Sequence, residues 1–295
     1  MLTNEESLLK ERSNSGKSGL SLRGEIARYI ERCRLEEGGY CFFCIPPASG
    51  RDTYYAVKTL AMLGLKPDTP QPLADVFLDA ASGQWPDDIT GLFLSSEVLA
   101  EMGLVSNDFK CFAAQQIMAH KNSAGGFGAL ENIYIEVSSE LEATYHVLKT
   151  LKTIGANFDK TGISHFISSL LNPDGGYGRE GRSTLATTYY ATGLFNLMGI
   201  RCPGFKHTLN YLRSRERDWL AIFKNGLVTF MEDVFWLVSA LANLGEKPHY
   251  TDEIVKFVTS CQRINGGFAR TGIMGIPTLE YTFYAVSVLN EVRTL

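Results

Sequence analysis

Four acidic residues, Asp52, Glu142, Glu232 and Glu280, stand at one register of a repeating pattern, each opening a strongly apolar segment. Carboxylates gathered at one mouth shift one another's pKa values and suit either proton transfer or a hard cation. Asp233 adjoins Glu232 and adds to that set. Basic residues occupy the turns ahead of the same segments: Arg179 and Arg182 in Gly178-Arg179-Glu180-Gly181-Arg182, then Lys224 and Arg270. Basic side chains beside helix N-termini make an anion site, because the free N–H groups and the helix dipole attract the same charge. Taken singly, each acid suits the ordinary task of capping a first helical turn, and each arginine that of a solvated turn. Recurrence in register is what points to a shared site.

The elements that position these residues repeat. Gly38-Gly39-Tyr40, Gly125-Gly126-Phe127, Gly175-Gly176-Tyr177 and Gly266-Gly267-Phe268 are followed by Thr53-Tyr54-Tyr55, Thr144-Tyr145-His146, Thr188-Tyr189-Tyr190 and Thr282-Phe283-Tyr284. Each turn lies between two helical patterns, predicted over 24–35 and 52–63, 109–120 and 140–154, 162–171 and 184–198, and 251–263 and 278–292. Two degenerate units keep the period, with helices over 73–81 and 91–102 around Gly83-Gln84-Trp85, and over 205–213 and 231–244 around Asn225-Gly226. The second helix of each pair is apolar on most of its circumference and so buried on both sides, whereas the first carries more charge. A long-period repeat of this kind buries its faces only against its neighbours. The expected fold is all-α, an (α/α)6 toroid of six helical hairpins over 23–295, preceded by a flexible tail over 1–22. Tyr54, Tyr145, Tyr189, Phe235, Trp236 and Phe283 then pack between the rings or turn toward the central hole, where aromatic faces attract a cation.

The chain has 295 residues, 45% hydrophobic and 20% charged, with a net charge of -4, which gives no reason to expect nucleic acid as a partner. No apolar stretch reaches the ~20 residues of a membrane span, and the N-terminus lacks the apolar core of a secretory signal. Six scattered cysteines point to reduced thiols and a cytoplasmic location. Cys41-Phe42-Phe43-Cys44 has no second pair to complete a metal set, and His146 is read as packed beside Tyr145.

At the Gly-Gly-aromatic turns and Thr-Tyr-Tyr helix starts, the chain resembles the α/α toroid superfamily of protein prenyltransferase β subunits and squalene/terpene cyclases. The resemblance runs over 24–295 and implies a central aromatic-lined cavity for an isoprenoid. It further implies transfer or ionisation of an allylic isoprenyl diphosphate, held by Arg179, Arg182, Lys224 and Arg270, with Tyr54, Tyr145, Tyr189, Trp236 and Phe283 along the chain. The family's zinc-ligand positions fall on Phe230, Glu232 and on or beside Glu280-Tyr281. Phenylalanine cannot bind zinc, so the usual zinc site is not supported; Glu232, Asp233 and Glu280 suit magnesium better. A terpene-cyclase alternative makes Glu142 or Glu280 the proton donor, with Glu140-Leu141-Glu142-Ala143-Thr144 nearest to that family's acidic motif. A third reading is a non-catalytic lipid- or protein-binding toroid. Protein prenyltransferases work with a separate helical partner subunit, and the sequence leaves that need open, together with isoprenoid length, acceptor and oligomeric state.

Overall fold

Each Gly-Gly-aromatic turn hands its aromatic N–H to the threonine that opens the next helix, which fixes the spacing read in the sequence. The computed structural model describes residues 21–67, 75–78, 83–128 and 138–292. Tyr40, Phe127, Tyr177 and Phe268 donate to the Oγ1 atoms of Thr53, Thr144, Thr188 and Thr282 at 3.0, 3.1, 3.1 and 3.1 Å. The four threonines are fully buried, so an aromatic N–H left unpaired there would be costly. Leu92 and Val234, also fully buried, take the threonine's place in the two degenerate units.

The inner helices are α2 (Gly50–Met62), α3 (Ile89–Met102), α5 (Ser138–Ile154), α7 (Leu185–Met198), α9 (Met231–Asn243) and α11 (Leu279–Val292). They touch in sequence order, and α11 returns to α2, so the ring closes. Around them lie α1 (Leu22–Arg32), α4 (Asn107–Ala119), α6 (Lys160–Ser168), α8 (Phe205–Lys224) and α10 (Thr251–Ser260), each packed on the inner helix that follows it. A two-residue ribbon, β1 (Phe268–Ala269) with β2 (Pro277–Thr278), precedes α11. No helix of the described residues is long and apolar enough to cross a membrane. The expected tail lies outside the described residues up to position 20, and of the helix expected over 73–81 only 75–78 is described.

The two glycines of each turn have separate reasons. A Cβ on Gly175, at φ +91°, would overlap the His207 carbonyl of the next outer helix, and one on Gly266, at φ +92°, would overlap that of Glu25. The second glycine faces a side chain of that same next unit. A Cβ there would lie 2.6 Å from Val76 at Gly39, 2.7 Å from Phe166 at Gly126, 2.9 Å from Tyr211 at Gly176 and 2.6 Å from Tyr29 at Gly267. The motif is thus an inter-unit joint, and the last of these contacts closes the toroid from unit six to unit one.

In the degenerate units the joint is aromatic. Trp85 meets Phe109 of α4 edge-on at 4.9 Å. The fifth outer helix runs on to Lys224, well beyond the expected end at 213. Its last turns carry Trp219 and Phe223, stacked at 5.3 Å and set edge-on against Phe257 of α10 at 5.9 and 6.0 Å. Buried Glu216 holds the same stretch by accepting from Arg213 at 2.9 Å and from the His249 backbone at 2.5 Å. The charged run 213–218 hid an amphipathic face whose partners lie in the next unit. Thr188→Val should lower unfolding free energy in urea by about 1–3 kcal/mol, because the Tyr177 N–H loses its buried acceptor. Thr188→Ser should retain most of it.

Candidate functional site

Counting each inner helix from its threonine, or from Leu92 and Val234, sorts the cavity into layers. Every residue one step on is aromatic: Tyr54, Phe93, Tyr145, Tyr189, Phe235 and Phe283, and all six line a single central cavity of ≈ 890 Å³. They form a girdle, with centroids 5.2 Å apart for Tyr54–Phe93, 5.9 Å for Tyr145–Tyr189, 5.4 Å for Tyr189–Phe235, 5.9 Å for Phe235–Phe283 and 6.0 Å for Phe283–Tyr54. Between Phe93 and Tyr145 the circuit passes through His146, stacked on Phe93 at 4.0 Å. The next step adds Tyr55, Leu94, His146, Tyr190, Trp236 and Tyr284 to the lining.

Two residues before the threonine lies the mouth layer, where Arg51, Thr90, Glu142, Ala186 and Glu280 line the cavity. Glu142 accepts from the Tyr190 hydroxyl at 2.8 Å, and Glu280 from those of Tyr55 and Tyr284 at 3.0 and 2.9 Å. Asp52 stands one residue from this register, about 100° around the helix. It accepts from the Phe42 N–H at 3.1 Å, so Arg51 takes the position facing the cavity. Burial raises the Asp52 pKa against the effect of that N–H, with Glu280 adding to the rise and Arg51 opposing it.

The expected anion-binding residues separate. Arg182 lines the cavity. Arg179 makes a two-pronged pair with Glu140 at 2.7 and 2.8 Å, tying the fourth unit to the third. Arg270 is bound to Glu232 at 2.6 Å and lies over the Phe230 ring at 4.4 Å. Lys224 pairs with Glu253 at 3.4 Å on the outer layer. Of the expected acids, Glu142 and Glu280 face the cavity, whereas Glu232 sits at the same register against Arg270. The neighbouring Asp233 has its pKa raised by burial and by Glu232, opposed by Arg270. Tyr54, Tyr145, Tyr189, Trp236 and Phe283 all line the cavity.

The residues at the family's zinc positions do not make that ion's usual donor set: Phe230 offers a ring covered by a guanidinium, and Glu232 gives Oε1 to Arg270 while its buried Oε2 has no hydrogen-bond partner among the described residues. Among the described residues no three His, Cys, Asp or Glu side chains come together around a point a metal could occupy. Cys41 and Cys44, like the other four cysteines, are free thiols.

Sequence reasoning missed Arg51, the hydroxyls of Tyr55, Tyr190 and Tyr284, and a charged group deeper in the wall. There Lys58 approaches Glu97 at 3.2 Å and Glu101 at 2.6 Å, and Lys149 approaches Glu97 at 3.4 Å. A signal was available, since Lys58 and Lys149 follow Arg51 and Glu142 by seven residues, two turns along the same helix face.

A family model described as the prenyltransferase alpha-alpha toroid domain matches residues 6–79, 90–232 and 206–294. No curated protein matches the chain in sequence. Among solved structures, Candida albicans protein geranylgeranyltransferase-I complexed with GGPP is similar, with a TM-score of 0.66, 14% identity and 92% of each chain covered.

Burial, with a smaller contribution from the Arg51 charge, pushes the His146 pKa down from 6.5 to about 3. Between those values the unfolded chain holds a proton on this imidazole that the folded chain does not, so stability falls as pH falls through that window. The slope from this residue is about 1.4 kcal/mol per pH unit. His146→Phe, which keeps the stack on Phe93, should flatten the urea-unfolding free energy between pH 6 and pH 4 by roughly that slope.

Proposed function

The chain belongs to the prenyltransferase α/α toroid family, and from that premise we propose that its central cavity takes up an allylic isoprenyl diphosphate and carries it toward transfer or ionisation. The observation that carries this reading is the unbroken aromatic girdle beneath a mouth holding Arg51 and Arg182. An isoprenoid chain gains free energy by leaving water for such a lining, while the two guanidiniums meet the diphosphate at the inner-helix N-termini. Departure of diphosphate leaves an allylic cation, which aromatic faces stabilise and a water-poor cavity protects. The fold relative from Candida albicans is a geranylgeranyltransferase-I complexed with GGPP, which supports the ligand class.

Arg179, Arg270 and Lys224 enter this reading as residues that hold the mouth in shape through Glu140, Glu232 and Glu253. Release from those acids would be needed before they could meet a diphosphate. Glu142 and Glu280, which accept from tyrosine hydroxyls at the mouth, orient an acceptor in this reading. With the zinc donors replaced, thiolate activation in the family's usual manner has no support in this chain, and a carboxylate-bound magnesium ion stays part of the proposal. Apolar side chains crowd the mouth-side loops of units five, six and one, with Phe43, Ile45, Leu227, Ile264, Ile273 and Met274 all exposed. Exposed apolar side chains in these loops support a helical partner docked there.

Native mass spectrometry should detect a one-to-one adduct with farnesyl or geranylgeranyl diphosphate. Arg51→Ala and Arg182→Ala, at exposed positions that leave the core intact, should each weaken it about tenfold or more. Absence of an adduct with either diphosphate would refute the reading. Binding without turnover of either compound, alone or with an acceptor, would move it to the non-catalytic toroid.

A further inference from the structure

The third layer of the cavity is unlike the other two. Five residues after the register threonine, the first three units carry Lys58, Glu97 and Lys149, whereas the last three carry Gly193, Ser239 and Ser287. Lys58, Glu97 and Lys149 all line the cavity. Glu97 is 4% exposed, and its carboxylate is already satisfied by Lys58 at 3.2 Å, Lys149 at 3.4 Å and the Thr153 hydroxyl at 3.1 Å. Lys58 also holds Glu101 at 2.6 Å, which makes the group neutral as a whole. Burial works to lower the Lys58 pKa, and the two glutamates outweigh it and raise it, so the ammonium is kept.

A charge cluster built around a buried carboxylate is a weak structural glue, because desolvation cancels much of its attraction. The other half of the ring closes at the same level with one glycine and two serines, so closure itself does not demand it. For a plain hydrocarbon this wall is the wrong surface. Covering it with methyl and methylene groups strips water from ammonium groups and returns no hydrogen bond. What the cluster has to spare is donor capacity. An ammonium carries three N–H donors, and Lys149 has a single long contact to Glu97. The carboxylate of Glu97 has little left to offer. A matching ligand group is therefore an acceptor, and a neutral one, since an anion would upset the balanced charges.

We propose that Lys149, held by Glu97, forms a second polar subsite that selects an oxygen-bearing isoprenoid, with a hydroxyl or carbonyl some way down the chain from its diphosphate. This deepens the proposed function and rests on it for the placement of the head group at the mouth. The distance follows from the helix. Arg51 to Lys58 and Glu142 to Lys149 are seven residues each, roughly 10 Å along the axis at 1.5 Å per residue. An extended geranyl chain spans that gap, so its terminal carbon is where the oxygen belongs.

Isothermal titration of the full chain with geranyl diphosphate and ω-hydroxygeranyl diphosphate tests this directly. The hydroxylated compound should bind about tenfold tighter or more, and Lys149→Met, with its fold checked by circular dichroism, should bring the two to within about twofold. Equal affinities in the wild type, or a preference untouched by folded Lys149→Met, would overturn the subsite. The same titrations with geraniol and its ω-hydroxy diol separate this from failure of the diphosphate reading. If neither diphosphate binds but the diol is preferred through Lys149, the subsite stands alone. If none of the four compounds binds, the subsite falls with the diphosphate site. A variant too unstable to titrate leaves the wild-type comparison to decide.

Discussion

The hydrogen bond from a turn aromatic to the Oγ1 of a helix-opening threonine is the constraint on which the toroid rests. In four of the six units it ties the turn that leaves the outer helix to the start of the inner one, and it does so in the core, where an unpaired N–H would be expensive. The same turn carries two glycines pressed against the following unit, so one motif sets both the hairpin and its junction. A ring of six closes only if the junction angle repeats. Units lacking the motif must recover it in another way, as Trp85 does on Phe109 and Trp219 with Phe223 on Phe257.

From that anchor the cavity follows almost arithmetically. Once the threonine faces the turn, the next residue faces the hole, and in all six units it is aromatic. Seven residues separate the mouth layer from the charged layer because two helical turns return a side chain to the same face. Half of the girdle residues are tyrosines, and the layer next to it adds Tyr55, Tyr190 and Tyr284. Tyr55, Tyr190 and Tyr284 donate their hydroxyls to the mouth carboxylates Glu142 and Glu280, which ties α2 to α11 and α5 to α7 at that height.

The departures from the usual family pattern cluster on one arc. Unit five has Phe230 and Glu232 where the resemblance puts zinc donors, and Arg270 of unit six lies over the ring of the first and pairs with Oε1 of the second. On the opposite arc, units one to three bring in Lys58, Glu97 and Lys149. One arc thus carries Phe230 and Glu232 beneath Arg270, while the other carries three charged side chains at one level of the cavity wall.

The sequence by itself determined the period, the hairpins, the two layers and the closed ring, because the joint is local and its residues lie within a few positions of one another. It also determined that acids and aromatics would recur at inner-helix starts. Tertiary structure decided which of them meet the cavity. Asp52 and Arg51 differ by one position, and the 100° between them sends one to the Phe42 N–H and the other to the mouth. Arg179, Arg270 and Lys224 looked equivalent to Arg182 in the chain, yet each finds a carboxylate on a different helix and is neutralised there. The same holds for Lys58, Glu97 and Lys149, three residues spread over 92 positions that become one cluster only when three neighbouring helices present the same layer. Local periodicity carries backbone geometry, whereas charge pairing depends on what the adjoining unit brings to the same height, and that is settled only when the ring closes.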